Sequence, residues 1–295
     1  MKKNVNVIRY FAAMILLLLF CACGSVSMAS ETAEATETAE ATETAETTET
    51  ETETTTKSSK KISTWYKANS GNVYYYDENG KKLKSGKYKI NGKYYYFDKK
   101  GIQRTGWQKI GSSYYYFKIA NGKKGYMVTS KQVNGITLKK NGKAKMTSYS
   151  RRKLPILYNA NVLMRSITKN SDTKKQKLRK VFDYTATYYK YQGLGSFVGG
   201  SQWDLYYAER IFVSGYVRGN CYTYAVIFAY LANAVGYKAY VVSSGGHGWA
   251  EINNRVYDPD WVRADPYHSY FGMAYGTTGR LVPDYANNRA YVIEI

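Results

Sequence analysis

The sequence predicts an α+β protein, with β-hairpin repeats followed by a mixed domain of helices and antiparallel strands. Three observations carry this prediction. Tyrosine triplets recur every 20 residues, at Tyr74-Tyr75-Tyr76, Tyr94-Tyr95-Tyr96 and Tyr114-Tyr115-Tyr116, with Asn-Gly pairs among them. A mostly apolar stripe at helical spacing runs through 172–191, and an apolar run over 222–235 closes at Gly236. Strand-like segments over 238–243, 247–252 and 255–261 then flank an Asn253-Asn254 turn.

Residues 1–29 read as an export signal. Lys2, Lys3 and Arg9 precede an apolar core from Tyr10 to Phe20, which has the length of a signal and is too short to span a bilayer stably. Two processing readings stay open. The small residue before Cys23 fits lipidation there, and Ser27-Met28-Ala29 fits cleavage before Ser30. Residues 30–63 are an acidic Glu/Thr/Ala linker. With nothing apolar larger than alanine over 31–56, it cannot bury enough surface to offset chain entropy.

Residues 64–147 hold the repeats. Asn-Gly occurs at Asn79-Gly80, Asn91-Gly92, Asn121-Gly122, Asn134-Gly135 and Asn141-Gly142, and each pair suits a tight hairpin turn. A single hairpin is too small to fold alone, so the units are expected to stack on their neighbours. Residues 148–295 make the second domain. Ser148 to Lys153 is polar and basic and reads as the boundary. Helices are expected over 159–167, over 172–191 with Ser171 or Asp172 as the cap, over 203–215 and over 222–235. A final strand is expected over 291–295.

The chain carries +21 overall, but residues 57–295 hold 40 basic and 13 acidic residues, a net +27. Such a surface attracts polyanions, and in an exported chain these are wall polymers and not nucleic acid. Its 33 tyrosines, against nine Phe and five Trp, suit both sugar contacts and cross-strand aromatic pairs. Cys21 and Cys23 belong to the export region, which leaves Cys221 as an unpaired thiol. One such thiol and two histidines make no zinc cluster. Neither a phosphate-cradling glycine loop nor a dinucleotide fingerprint is present, so no metal and no cofactor is expected.

Cys221 stands where Gly219-Asn220 gives way to the apolar helix, against the positive end of the helix dipole, which favours the thiolate. His247 starts one strand and Asp258 ends the next. Cysteine, histidine and aspartate in that order supply a nucleophile, a base and an orienting group. Asp258 also stands in an Asp-Pro pair that commonly starts a turn.

These motifs, Gly219-Asn220-Cys221, His247-Gly248-Trp249-Ala250-Glu251-Ile252 and Val256-Tyr257-Asp258-Pro259, resemble the transglutaminase-like superfamily, a branch of the papain-like cysteine enzymes. The resemblance covers roughly 154–295. It implies a papain-like core at the C-terminus, with Cys221 as nucleophile, His247 as base and acid, and Asp258 orienting the imidazole. It also implies a thioester acyl-enzyme acting on amide bonds of wall peptide or surface protein, as a peptidase, amidase or protein cross-linker. The oxyanion would be held by the Cys221 N–H, with Gln202 as a side-chain candidate. Trp249 is expected to pack.

The aromatic triplets, Gly106-Trp107 and the Asn-Gly turns resemble cell-wall-binding repeats of the choline- and glucan-binding type. This implies a hairpin solenoid holding a wall polysaccharide or teichoic acid through Trp65, Tyr75, Tyr95, Trp107 and Tyr115. Choline itself fits less well, because tyrosine opens each triplet and only Trp65 and Trp107 lie nearby. The expected whole is an extracellular, cell-surface protein, wall-bound and either released or lipid-anchored to the membrane. The reading from another class is a non-enzymatic wall-binding or adhesion protein that uses the same fold.

Overall fold

The computed structural model describes residues 63–119, 125–193, 195–277 and 289–295. The export segment with Cys23, nearly all of the acidic linker and the Asn121-Gly122 turn lie outside them. Hairpins come first. β1 (Thr64–Lys67) pairs with β2 (Val73–Tyr76), β3 (Gly86–Ile90) with β4 (Lys93–Phe97), and β5 (Gln103–Arg104) extends the second hairpin. β6 (Gly106–Ile110) pairs with β7 (Ser113–Phe117), and β8 (Gln132–Val133) with β9 (Ile136–Thr137).

Side chains alternate faces along a strand, so the middle tyrosine of each triplet and the residue two further on point the same way. Tyr75, Tyr95 and Tyr115 all turn inward, and Phe97 and Phe117 are fully buried. Neighbouring hairpins share these cores. Trp65 of the first packs on Tyr95 and Phe97 of the second, and Tyr96 of the second packs on Phe117 of the third.

Asn91-Gly92 and Asn134-Gly135 have positive φ at both residues, as a two-residue hairpin requires. Asn79-Gly80 and Asn141-Gly142 differ, because only the glycine is left-handed. In the first of these, Asp77 accepts from the N–H groups of Asn79 and Lys81 and so shapes a wider turn.

α1 (Ser148–Ile167) follows at once, about three turns earlier than the sequence suggested. Thr147 caps it in a reciprocal box with Ser150. Pro155 lies inside α1 and removes one backbone bond, yet burial of Leu154, Ile156, Leu157 and Leu163 on either side outweighs that loss. α2 (Lys174–Tyr188) is capped by Thr173, not by Ser171 or Asp172; Asp172 instead pairs with Lys180. The stretch from 203 divides into α3 (Trp203–Ala208) and a π-helical turn, Glu209–Val213. Two short parallel strands, β10 (Lys190–Tyr191) and β11 (Arg218–Gly219), lead into α4 (Cys221–Val235).

α4 is the axis of the domain. Every residue but Asn233 is buried, and α1, α2 and the main sheet surround it. That sheet is antiparallel, in the order β15 (Phe271–Ala274), β14 (Arg255–Tyr257), β13 (Gly248–Ile252), β12 (Tyr240–Ser243), β16 (Tyr291–Glu294). Asn253 and Asn254 both take positive φ and make the β13–β14 turn. A short helix, α5 (Trp261–Ala264), follows β14.

Hairpins and helices share one core. Trp107, Tyr114, Ile136 and Leu138 pack with Leu154, Leu157 and the residues of α4. Asn161 of α1 donates to the carbonyls of Thr105 and Trp107, both at 3.0 Å. Gly106, between them, has φ of +74°, and a Cβ there would meet the Asn161 amide at 2.4 Å. Trp107 donates to Asn134, whose amide donates in turn to Asn233 and to the Ile295 carbonyl.

Candidate active site

The first turn of α4 presents Cys221, 8% exposed. Asn220 caps the helix, its side-chain oxygen accepting from the Thr223 N–H and hydroxyl. A Cβ on Gly219 would lie 2.3 Å from that hydroxyl, so this cap fits only with glycine before the asparagine.

β13 reaches α4 at its first residue. A Cβ on Gly248 would lie 2.7 Å from Tyr222 Cδ1 and 3.1 Å from Tyr222 Cα. The missing side chain lets the strand lie against the cysteine turn and brings His247 beside Cys221. The loop before His247 is pinned as well. Ser244 Oγ accepts from the His247 N–H at 3.0 Å, and the Tyr222 hydroxyl donates to the Gly245 carbonyl at 2.8 Å.

His247 Nε2 lies 2.6 Å from Asp258 Oδ2. Asp258 is wholly buried, and its other oxygen accepts from the Trp261 N–H at 3.0 Å. This bond comes from the start of α5, so the turn begun by Asp258 also orients it. The side chain of Cys221 hydrogen-bonds His247, whose Nε2 faces Asp258. Burial alone would lower the imidazole's proton affinity. The Asp258 charge, and hydrogen bonds to Asp258 and Cys221, outweigh it and raise the His247 pKa to about 10. The ring of Trp261 meets His247 edge-on at 5.1 Å.

Three tyrosines border the thiol. Burial first, and the Cys221 charge with it, raises the pKa of Tyr191, of Tyr207 and of Tyr222, the last to about 12. Tyr191 is 43% exposed and carries the Arg263 guanidinium at 4.3 Å over its ring. Neither Tyr191 nor Trp261 was legible in the sequence. Tyr191 arrives through the parallel β10–β11 pair and Trp261 through a side-chain cap, and neither leaves a local pattern.

Gln202 is exposed at the N-terminus of α3 and makes no capping bond. Its neighbour Trp203 packs edge-on to Tyr222, and no described hydrogen bond joins Gln202 to Cys221 or His247. Trp249 is buried with Val242 and Val256, its indole donating to Tyr275.

Of the residues expected to hold a wall ligand, Tyr75, Tyr95 and Tyr115 are largely buried between hairpins. Trp107 lies in the main core, and Trp65 is half-buried against Tyr75 and Tyr95, at 5.0 and 4.9 Å between ring centres. His268, the other histidine, pairs with Asp265 at 2.6 Å in an exposed turn.

Family models match three stretches of the chain: the cell wall binding repeat over 63–82, the choline-binding repeat over 84–131 and the transglutaminase-like superfamily over 162–266. The chain carries choline-binding repeats followed by a transglutaminase-like domain. That domain holds Cys221, His247 and Asp258 alike. A search of curated proteins found no match.

Solved structures similar to part of the chain include choline binding protein F from Streptococcus pneumoniae with a peptidoglycan analogue. It is 32% identical over 28% of this chain and 27% of that one, with a TM-score of 0.25. The pneumococcal cell wall endolysin from phage Cp-1, complexed with choline, is 26% identical over 30% and 27%, at 0.25. The chain thus spans about a quarter of these relatives' length, and TM-scores this low say nothing of the fold.

Proposed function

We propose that the protein is a cell-surface cysteine enzyme that acts on amide bonds of wall peptide or surface protein while its repeats, read as a short hairpin solenoid over 64–147, hold it on the wall. The papain-like reading applies to 148–295, and membrane attachment through Cys23 belongs to the same proposal. The observation that carries the chemistry is the joined set Cys221, His247 and Asp258, on the first turn of a buried helix and two adjoining strand ends.

The Cys221 thiolate attacks the amide carbonyl carbon and forms a C–S bond. His247 gives a proton to the amide nitrogen, and the C–N bond breaks to release the amine. Asp258 holds the imidazole throughout and favours its charged form. The oxyanion takes the Cys221 N–H, one of the unpaired donors of a helix's first turn, with Gln202 as the side-chain candidate. Water or an amine then attacks the thioester, His247 takes its proton and the C–S bond breaks. Water gives hydrolysis, and a lysine amine gives a cross-link.

Iodoacetamide alkylation of the full chain against pH tests this. Cys221 should react at pH 6, where a free thiol is nearly inert, and His247→Ala should abolish that reactivity. Reaction no faster than a free thiol would leave a wall-binding protein with an inert site.

A further inference from the structure

The hairpins line an open cavity of about 450 Å³, within the size range of small-ligand sites. Lys87, Lys93 and Lys140 line it, with Tyr94, Tyr126 and Met127 as its apolar wall; among the described residues no carboxylate lines it. Two of the lysines already occupy aromatic faces. Lys87 Nζ stands 5.0 Å from the centre of Tyr94 and 4.7 Å from that of Tyr115, and Lys93 Nζ stands 4.4 Å from Tyr126. The same holds outside the cavity, where Lys82 covers Tyr74 at 5.1 Å. Where Trp65 meets Tyr75 and Tyr95, the rings touch edge-on at 5.0 and 4.9 Å, which leaves no gap between them for a cation.

From this arrangement we infer that the cavity binds a phosphate-bearing polyol or sugar, the repeating unit of an anionic wall polymer, and not a quaternary ammonium. An aromatic cage attracts a cation through its ring faces, and here those faces hold the chain's own ammonium groups. A second cation would meet three positive charges with no counter-charge among the lining residues. A phosphate would meet three donors and relieve their mutual repulsion. Burial first, and the nearby Lys143 charge second, lower the proton affinity of the Lys87 ammonium. Met127 offers carbon surface to the polyol. The inference rests on the repeats as the wall-holding module and is independent of the cysteine chemistry.

Calorimetric titration of the full chain with glycerol 3-phosphate, inorganic phosphate, glycerol and choline chloride tests it. Glycerol 3-phosphate should bind, inorganic phosphate more weakly, and glycerol and choline not at all. Lys140→Gln, at an exposed position that leaves the fold intact, should weaken binding about tenfold, as should raising salt from 50 to 200 mM. Binding of choline in place of glycerol 3-phosphate overturns the inference, and so does an unchanged Lys140→Gln. Co-sedimentation with purified walls separates the two readings. Retention that glycerol 3-phosphate does not compete away sinks the anion site and leaves wall binding standing. Failure to sediment at all sinks both.

Discussion

Gly248→Ala tests how the site is assembled. The added Cβ would stand 2.7 Å from Tyr222 Cδ1 and 3.1 Å from Tyr222 Cα. Carbon atoms rest about 3.5–4.0 Å apart, so β13 and the first turn of α4 must separate by roughly 0.5–1 Å. The Tyr222 ring cannot simply swing away, because its hydroxyl is bound to Gly245 and it packs on Phe197 and Tyr207. Overpacking of this kind costs about 1–3 kcal/mol of stability. The same displacement moves His247 from Cys221, and about 1 Å of misplacement lowers a positioned reaction roughly a hundredfold. Urea unfolding reads the first effect, and Cys221 alkylation at pH 6 the second. Gly246→Ala is the control, since a Cβ there meets nothing within 4 Å. A Gly248→Ala protein that alkylates within about threefold of wild type would refute the claim that this contact sets the spacing.

Two further outcomes follow from the geometry. His247 should keep both ring protons at pH 8, read by imidazole NMR, and lose one near pH 10; in Asp258→Asn that loss should fall towards the ordinary value. A raised folded pKa stabilises fully below the ordinary 6.5, so this contribution should fade as pH rises from 6.5 towards 10 and be missing from the pH profile of His247→Gln. Asn161→Ala should cost about 1–3 kcal/mol in urea unfolding, because the Trp107 carbonyl loses its buried donor, while that of Thr105 keeps the Gln108 amide. A loss within about 0.5 kcal/mol would show that water replaces the amide.

Local chemistry was legible and distant chemistry was not. Helix α4 announces itself through Asn220 and Gly236, and the tyrosine triplets reveal their strands because alternation is a property of neighbours. Asn91-Gly92 gave the expected turn, but at Asn79-Gly80 the carboxylate of Asp77 intervened. The polar, basic opening of α1 hides a helix because its stability comes from burial further along, against α4 and the third hairpin. Cys221, His247 and Asp258 stood out by residue type and motif. Tyr191 and Trp261 reach the same place through contacts that no short window contains. Gly106-Trp107 looked like a ligand motif, and in the structure it is a joint.

That joint has no elbow. Linked domains ordinarily shift against each other unless a large apolar interface locks them, and here Trp107 and Tyr114 lie in the same core as α4. Gly106 and Asn161 close the remaining gap to a fit that tolerates no extra carbon. Whatever the hairpins grip, the cysteine stands at one height and one tilt above it. Under the proposed function, the amides within reach form a thin shell around each point of attachment, and moving on to the next one means letting go.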